Sequence, residues 1–130
     1  MAQVWYDVNL GNDGHDWAVI RLSSPIGDKI GWFGMKIPDS AALPGGSATI
    51  VGYPSDKLES TLWRNKDVIT HVNEKQVFYV TDTFRGQSGA PVLDDDAVIF
   101  AIHTSGDDHH NWGTLLTGAL FSVIVNLSKS

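Results

Sequence analysis

The sequence has 130 residues, 42% hydrophobic and 18% charged: one ordinary domain with enough apolar material for a core, neither a disordered chain nor a coiled coil. Nine Lys and Arg against fifteen Asp and Glu leave a net charge of −6, which disfavours a nucleic-acid partner, because affinity for a phosphate backbone comes from clustered cations. Cysteine is absent, which excludes disulfides, thiolate metal sites and thiol catalysis, and no apolar run approaches the roughly 20 residues of a membrane span. In chain order, short β-branched and aromatic runs place strands at 15–22, 30–36, 47–53, 61–72, 76–82, 89–93, 97–104 and 112–118. Turn-forming residues stand between them: Pro38, Pro44-Gly45-Gly46, Pro54-Ser55-Asp56, Asn73-Glu74 and Asp94-Asp95-Asp96. This spacing reads as an all-β antiparallel barrel or sandwich in a single domain. Residues 119–130 carry apolar positions at 120, 121, 124, 125 and 127, the pattern of a short amphipathic C-terminal helix, although a final strand fits the same run. The first ten residues show no basic region followed by an apolar stretch, so no signal peptide is expected, and the compartment stays open.

The stretch most informative about chemistry is DTFRGQSGAP at 82–91. Gly86 and Gly89 flank Ser88 and let the backbone turn sharply and approach a ligand closely. If the N–H groups of Gly86 and Ser88 converge on one point, they form an oxyanion hole. The segment is not the G-x-S-x-G elbow of α/β-hydrolases, because Ala90 stands at the last glycine position. Taken alone, the motif also describes an ordinary Gly-Ser hairpin loop.

Its neighbours narrow the choice. DWAVIRLSSPIGDKIGWFG at 16–34, VGYPSDKLESTLW at 51–63, FYVTDTFRGQSGAPV at 78–92 and AIHTSG at 101–106 together resemble the trypsin-like serine proteases, in particular the bacterial glutamyl endopeptidases. The resemblance implies a chymotrypsin-like Greek-key β-barrel. It matches Ser88 to the nucleophile, Gly86 and Ser88 to the oxyanion donors and Asp16 to the triad aspartate. Thr83 and His103 match the residues that receive a substrate glutamate carboxylate. Arg85 stands where many relatives have a small residue, and its guanidinium offers a second attraction for an anionic substrate. No cofactor and no metal are implied, and the family is typically secreted.

The family order is His…Asp…Ser, with the base well upstream of the Asp. Only fifteen residues precede Asp16, and no matching His segment is present. The expectation is therefore a nearly complete second barrel over 29–130, with 1–28 as a remnant of the first. Two consequences follow. The face that would pack on a first barrel is exposed and apolar, so a homo-oligomer is expected, with the N-terminal strand exchanged between chains or capping an open edge. Ser88 also lacks its usual base, and an unaided serine is a weak nucleophile. Among the five histidines, His103 is best placed to substitute; His109 and His110 lie in a loop after its strand, His71 is a surface position, and His15 should point away from its neighbour Asp16. The expected activity is that of a serine hydrolase on ester or peptide carbonyls, more plausibly an esterase on small esters. The alternative is a non-catalytic fragment or binding module. The acidic runs 94–96 and 107–110 read as solvated turns rather than metal ligands, and the five tryptophans as core or interface residues.

Overall fold

Alternating burial in two of its strands marks the barrel wall. Along strand β3 (Ser47–Gly52), Ala48, Ile50 and Gly52 are buried and the residues between them only half-buried; along β5 (Gln76–Val80), Val77 and Tyr79 are buried in the same way. A strand that hides every second residue needs a curved partner surface around it, and closure into a barrel supplies one while removing free edges. The remaining barrel strands are β4 (Trp63–Val72), β6 (Pro91–Leu93), β7 (Ile99–Gly106) and β8 (Asn111–Leu115). The order is β3-β4-β5-β8-β7-β6, every neighbouring pair is antiparallel, and Thr49↔Leu93 with Ile50↔Val92 closes the ring. The core is Ala48, Ile50, Ile69, Val77, Tyr79, Ala90, Val92, Phe100, Ala101 and Leu115. This is a computed structural model, and it describes residues 3–6, 14–53, 58, 61–80, 87–107 and 109–129.

Outside the barrel, β1 (Gln3–Tyr6) and β2 (Ala18–Arg21) pair as a two-stranded antiparallel sheet. One face presents Val4, Tyr6, Ala18 and Ile20, all exposed. On the other face, the Arg21 guanidinium lies 5.2 Å over the Trp5 ring and donates to the Leu127 carbonyl at the end of helix α2 (Gly118–Ser128). That helix, rather than a final strand, forms because Thr117 caps it: the Thr117 Oγ accepts from Leu120 N–H at 3.2 Å, and Leu120 is buried beneath.

The segment expected as a strand at 30–36 differs. Residues Gly27–Ile30 form one short helical turn, α1, which ends at Gly31 with φ +84°. Beyond it the chain meets the barrel at an isolated parallel bridge, Met35 to Ile99, beside which Lys36 pairs with Asp94. The closed ring offers no free edge for a further strand, so the apolar residues that suggested one stay in solvent: Ile30 is 78% exposed and Trp32 79%. The strand expected at 15–22 is shortened to 18–21, and β1 was not anticipated at all.

Candidate active site

Ser88 sits on a four-residue turn. Ala90 N–H donates to the Gln87 carbonyl at 2.9 Å, and Gly89 takes φ +86°, the left-handed conformation that such a turn requires at its third residue. The turn is pinned to β7 from both sides: Gly89 N–H donates to the His103 carbonyl at 2.8 Å and His103 N–H to the Ala90 carbonyl at 2.9 Å. A shift in the β7–β8 register between His103 and Ser105 leaves Thr104 without a direct partner on β8. Its carbonyl instead accepts the Ser88 hydroxyl at 2.9 Å. Bulges commonly redirect groups beside functional clefts in this way.

Asp16 comes from the other end of the sequence. The Thr114 Oγ donates to the Asp16 carbonyl at 3.1 Å and ties the approach to β2 onto β8. The result is an open cleft of about 600 Å³, whose lining includes Asp16, Ser88, Gly89, His103 and Thr104 with an apolar wall that includes Tyr6, Trp17 and Ile20. Three residues singled out in the sequence, Asp16, Ser88 and His103, thus meet on one surface. Thr83, Arg85 and Gly86 lie outside the described residues.

His103 makes no hydrogen bond to Ser88. Its Nδ1 lies 2.5 Å from the Tyr79 hydroxyl, its ring has no other hydrogen bond among the described residues, and Ser88 Oγ is engaged by Thr104. Burial pushes the imidazole from its ordinary 6.5 down to about 4, so it is neutral at physiological pH. Burial also pushes the Tyr79 phenol far above its ordinary value, so it keeps its proton. The other histidines are elsewhere. His15 faces away from Asp16 and lines a separate cavity of about 220 Å³, with Lys75 Nζ 3.3 Å from its Nε2. His71 stacks on Phe78 with ring centroids 4.2 Å apart and meets His110 edge-on at 5.8 Å. The backbone N–H groups of His109 and His110 donate to the Asp107 carboxylate at 2.8 and 2.7 Å, so that acidic run serves its own loop. Asp94 likewise accepts from Asp96 and Val98 N–H and pairs with Lys36.

Sequence reasoning overlooked Tyr79 and Gln87. Tyr79 lies at an inward position of an alternating strand, where a buried phenol needs a partner; that signal was readable. Gln87 is 1% exposed, and neither end of its amide has a partner among the described residues, which composition alone does not reveal.

A family model described as a trypsin-like peptidase domain matches residues 3–102. The chain belongs to the trypsin-like peptidase family. It is 34% identical over 131 residues to a glutamyl endopeptidase of Bacillus licheniformis, covering 92% of this chain and 41% of that relative. It is 33% identical over 114 residues to an extracellular metalloprotease of Bacillus subtilis, covering 85% of this chain and 36% of the relative. Among solved structures, a Glu endopeptidase in complex with MPD superposes with a TM-score of 0.87 at 27% identity, over 98% of this chain and 62% of that one. The tobacco vein mottling virus protease, at 15% identity and TM-score 0.61, shares the fold. The chain spans about two fifths of the length of the two Bacillus relatives. These findings bear out the chymotrypsin-like barrel and the similarity to glutamyl endopeptidases.

Proposed function

We propose that this chain carries the nucleophile side of a serine hydrolase site. Ser88 attacks an ester or peptide carbonyl, the Gly86 and Ser88 amides hold the oxyanion, and Asp16 orients the base. Thr83, His103 and Arg85 receive an acyl side chain ending in a carboxylate, the glutamyl-endopeptidase-like preference. The observation that carries the reading is the convergence of Asp16 and Ser88, distant in sequence, on one open cleft beside a buried neutral imidazole. Two elements of the reading draw on family likeness and motif: the oxyanion pair, and the roles of Thr83 and Arg85.

The base comes from outside the described residues. In a full turnover it takes the Ser88 proton as the Oγ–carbonyl bond forms, and returns that proton to the leaving group as the ester or amide bond breaks; water then repeats the sequence on the acyl-serine. With no base at Ser88, what remains is the oxyanion hole and binding, which sustain roughly 10³–10⁴-fold catalysis over water. That level favours small activated esters, whose leaving group departs without protonation. The second reading is a non-catalytic binding module, and the Ser88 hydroxyl resting on the Thr104 carbonyl favours it.

The test is hydrolysis of p-nitrophenyl acetate and butyrate beside a peptide p-nitroanilide cleaved after Glu, with and without added imidazole. Ser88→Ala serves as the blank, because imidazole alone hydrolyses such esters. Ester turnover that depends on Ser88 and rises with imidazole is expected. Peptide cleavage without imidazole would show that a base is already in reach. No Ser88-dependent turnover of either substrate would leave the binding module.

A further inference from the structure

The Tyr79–His103 pair is buried at the back of the cleft, and its hydrogen bond has a direction that the surroundings determine. Tyr79 has no exposed surface, and its hydroxyl has one partner among the described residues, His103 Nδ1 at 2.5 Å. Two arrangements are open to the pair. If Nδ1 carried the proton and the phenol oxygen accepted it, the phenol's own proton would be buried with nothing to receive it, and an unmade buried hydrogen bond is expensive. If the phenol donates, both groups are satisfied, and the imidazole proton must sit on Nε2.

We propose that Tyr79 is a positioning residue that donates its proton to His103 Nδ1 and thereby fixes His103 as the Nε2–H tautomer, a hydrogen-bond donor to the cleft. The two rings lie with centroids 5.8 Å apart at 43°, and His103 is 4% exposed, so the imidazole is held in place on the side away from the cleft. His103 lines the cleft, and Nε2 is the ring atom it has left to offer a ligand. A fixed donor without permanent charge suits an oxygen acceptor such as a carboxylate, and it cannot take a proton from Ser88. The tautomer follows from burial and geometry alone; its use in binding a carboxylate rests on the function proposed above.

The experiment is long-range ¹H–¹⁵N correlation of the histidine rings in the ¹⁵N-labelled protein at neutral pH, with His103 assigned by the signals that vanish in His103→Gln. The expected wild-type pattern has Nε2 protonated and Nδ1 bare. A proton on Nδ1, or an even mixture, overturns the proposal without any need for a Tyr79 variant to fold. In Tyr79→Phe, folded by its backbone amide spectrum, the single-tautomer pattern is expected to give way to a mixture; an unchanged pattern also overturns it. N-acetylglutamate, titrated against both proteins, is expected to bind the variant roughly tenfold more weakly. The Nε2–H tautomer without binding to the wild type upholds Tyr79 and strikes the carboxylate pocket instead. Binding with the proton on Nδ1 strikes Tyr79's role and leaves the pocket standing.

Discussion

His103 makes the folded state sensitive to mild acid. In the unfolded chain its imidazole titrates near the ordinary 6.5, whereas burial lowers it in the fold to about 4. Between those values the unfolded state binds a proton that the folded state refuses, so stability rises with pH across this window and falls as pH drops through it. At about 1.4 kcal/mol per tenfold change in proton affinity, the full displacement is worth roughly 3 kcal/mol, most of which is lost by about pH 4.5. Above about pH 7.5 the contribution vanishes, because His103 is neutral in both states. The carboxylates act lower. Asp107 is held below its ordinary 3.8 by the His110 and His109 N–H groups. Asp94 is also held below it: partial burial alone would raise it, but hydrogen bonds from Lys36, Val98 and Asp96 outweigh that effect. Their stabilisation is present above that range and lost beneath it, outside the His103 window. The assay is urea unfolding followed by tryptophan fluorescence from pH 7.5 to 4.5, for the wild type and His103→Gln. The wild type should lose roughly 2–3 kcal/mol more than the variant over that range, whatever the remaining histidines contribute to both. Equal losses would show that His103 is protonated in the fold and refute the account of its burial.

Two further outcomes are expected. Gln87 buries both ends of its amide without partners among the described residues and fits tightly, since a Cβ at Gly52 would lie 3.3 Å from its Nε2. Gln87→Met keeps the unbranched shape and removes the orphaned groups, so it should raise stability by about 1–2 kcal/mol in the same urea assay; a lower midpoint would mean that the amide has a partner in solution. We also propose that a second copy of the chain covers the apolar face of the β1–β2 sheet, where Val4, Tyr6 and Ile20 are exposed; because Tyr6 and Ile20 also wall the cleft, this copy would compete with a substrate for it. Sedimentation velocity should show concentration-dependent association, weakened roughly tenfold or more by Ile20→Lys, given the free energy of burying one such side chain. A monomer at every concentration would reject the proposal.

The barrel was legible because its strands carry their own evidence. Ala48-x-Ile50 and Val77-x-Tyr79 alternate inward, and turn residues bound them, so the segments expected at 47–53, 61–72, 76–82, 89–93, 97–104 and 112–118 each contain or overlap a strand, with ends shifted by a few residues. Residues 30–36 misled because apolar density is not pairing: Trp32 and Phe33 have β-forming side chains but no edge to join. The β1 strand escaped because four residues carry too little alternation to stand out, although the turn-forming Gly11-Asn12-Asp13-Gly14 lies between it and β2. In the site, Ser88, Asp16 and His103 were singled out by the resemblance of four segments to the glutamyl endopeptidases, the motif around Ser88 alone being ambiguous. What each atom does was not legible. The Ser88 hydrogen bond depends on a register shift in β7, and His103's availability depends on a tyrosine on β5, two strands away.

Asp16 and Ser88 ride on different parts of the fold. Ser88 belongs to the ring of six strands, while Asp16 leads into a ribbon held down by the Thr114 hydroxyl and by Arg21 on the final turn of α2. Their alignment depends on how that ribbon rests on the ring and on the last turn of α2. If the ribbon lifts while the ring stays folded, gentle warming or disruption of that turn is expected to part the two residues before global melting. Folding of the ring and assembly of the cleft are then separate conditions.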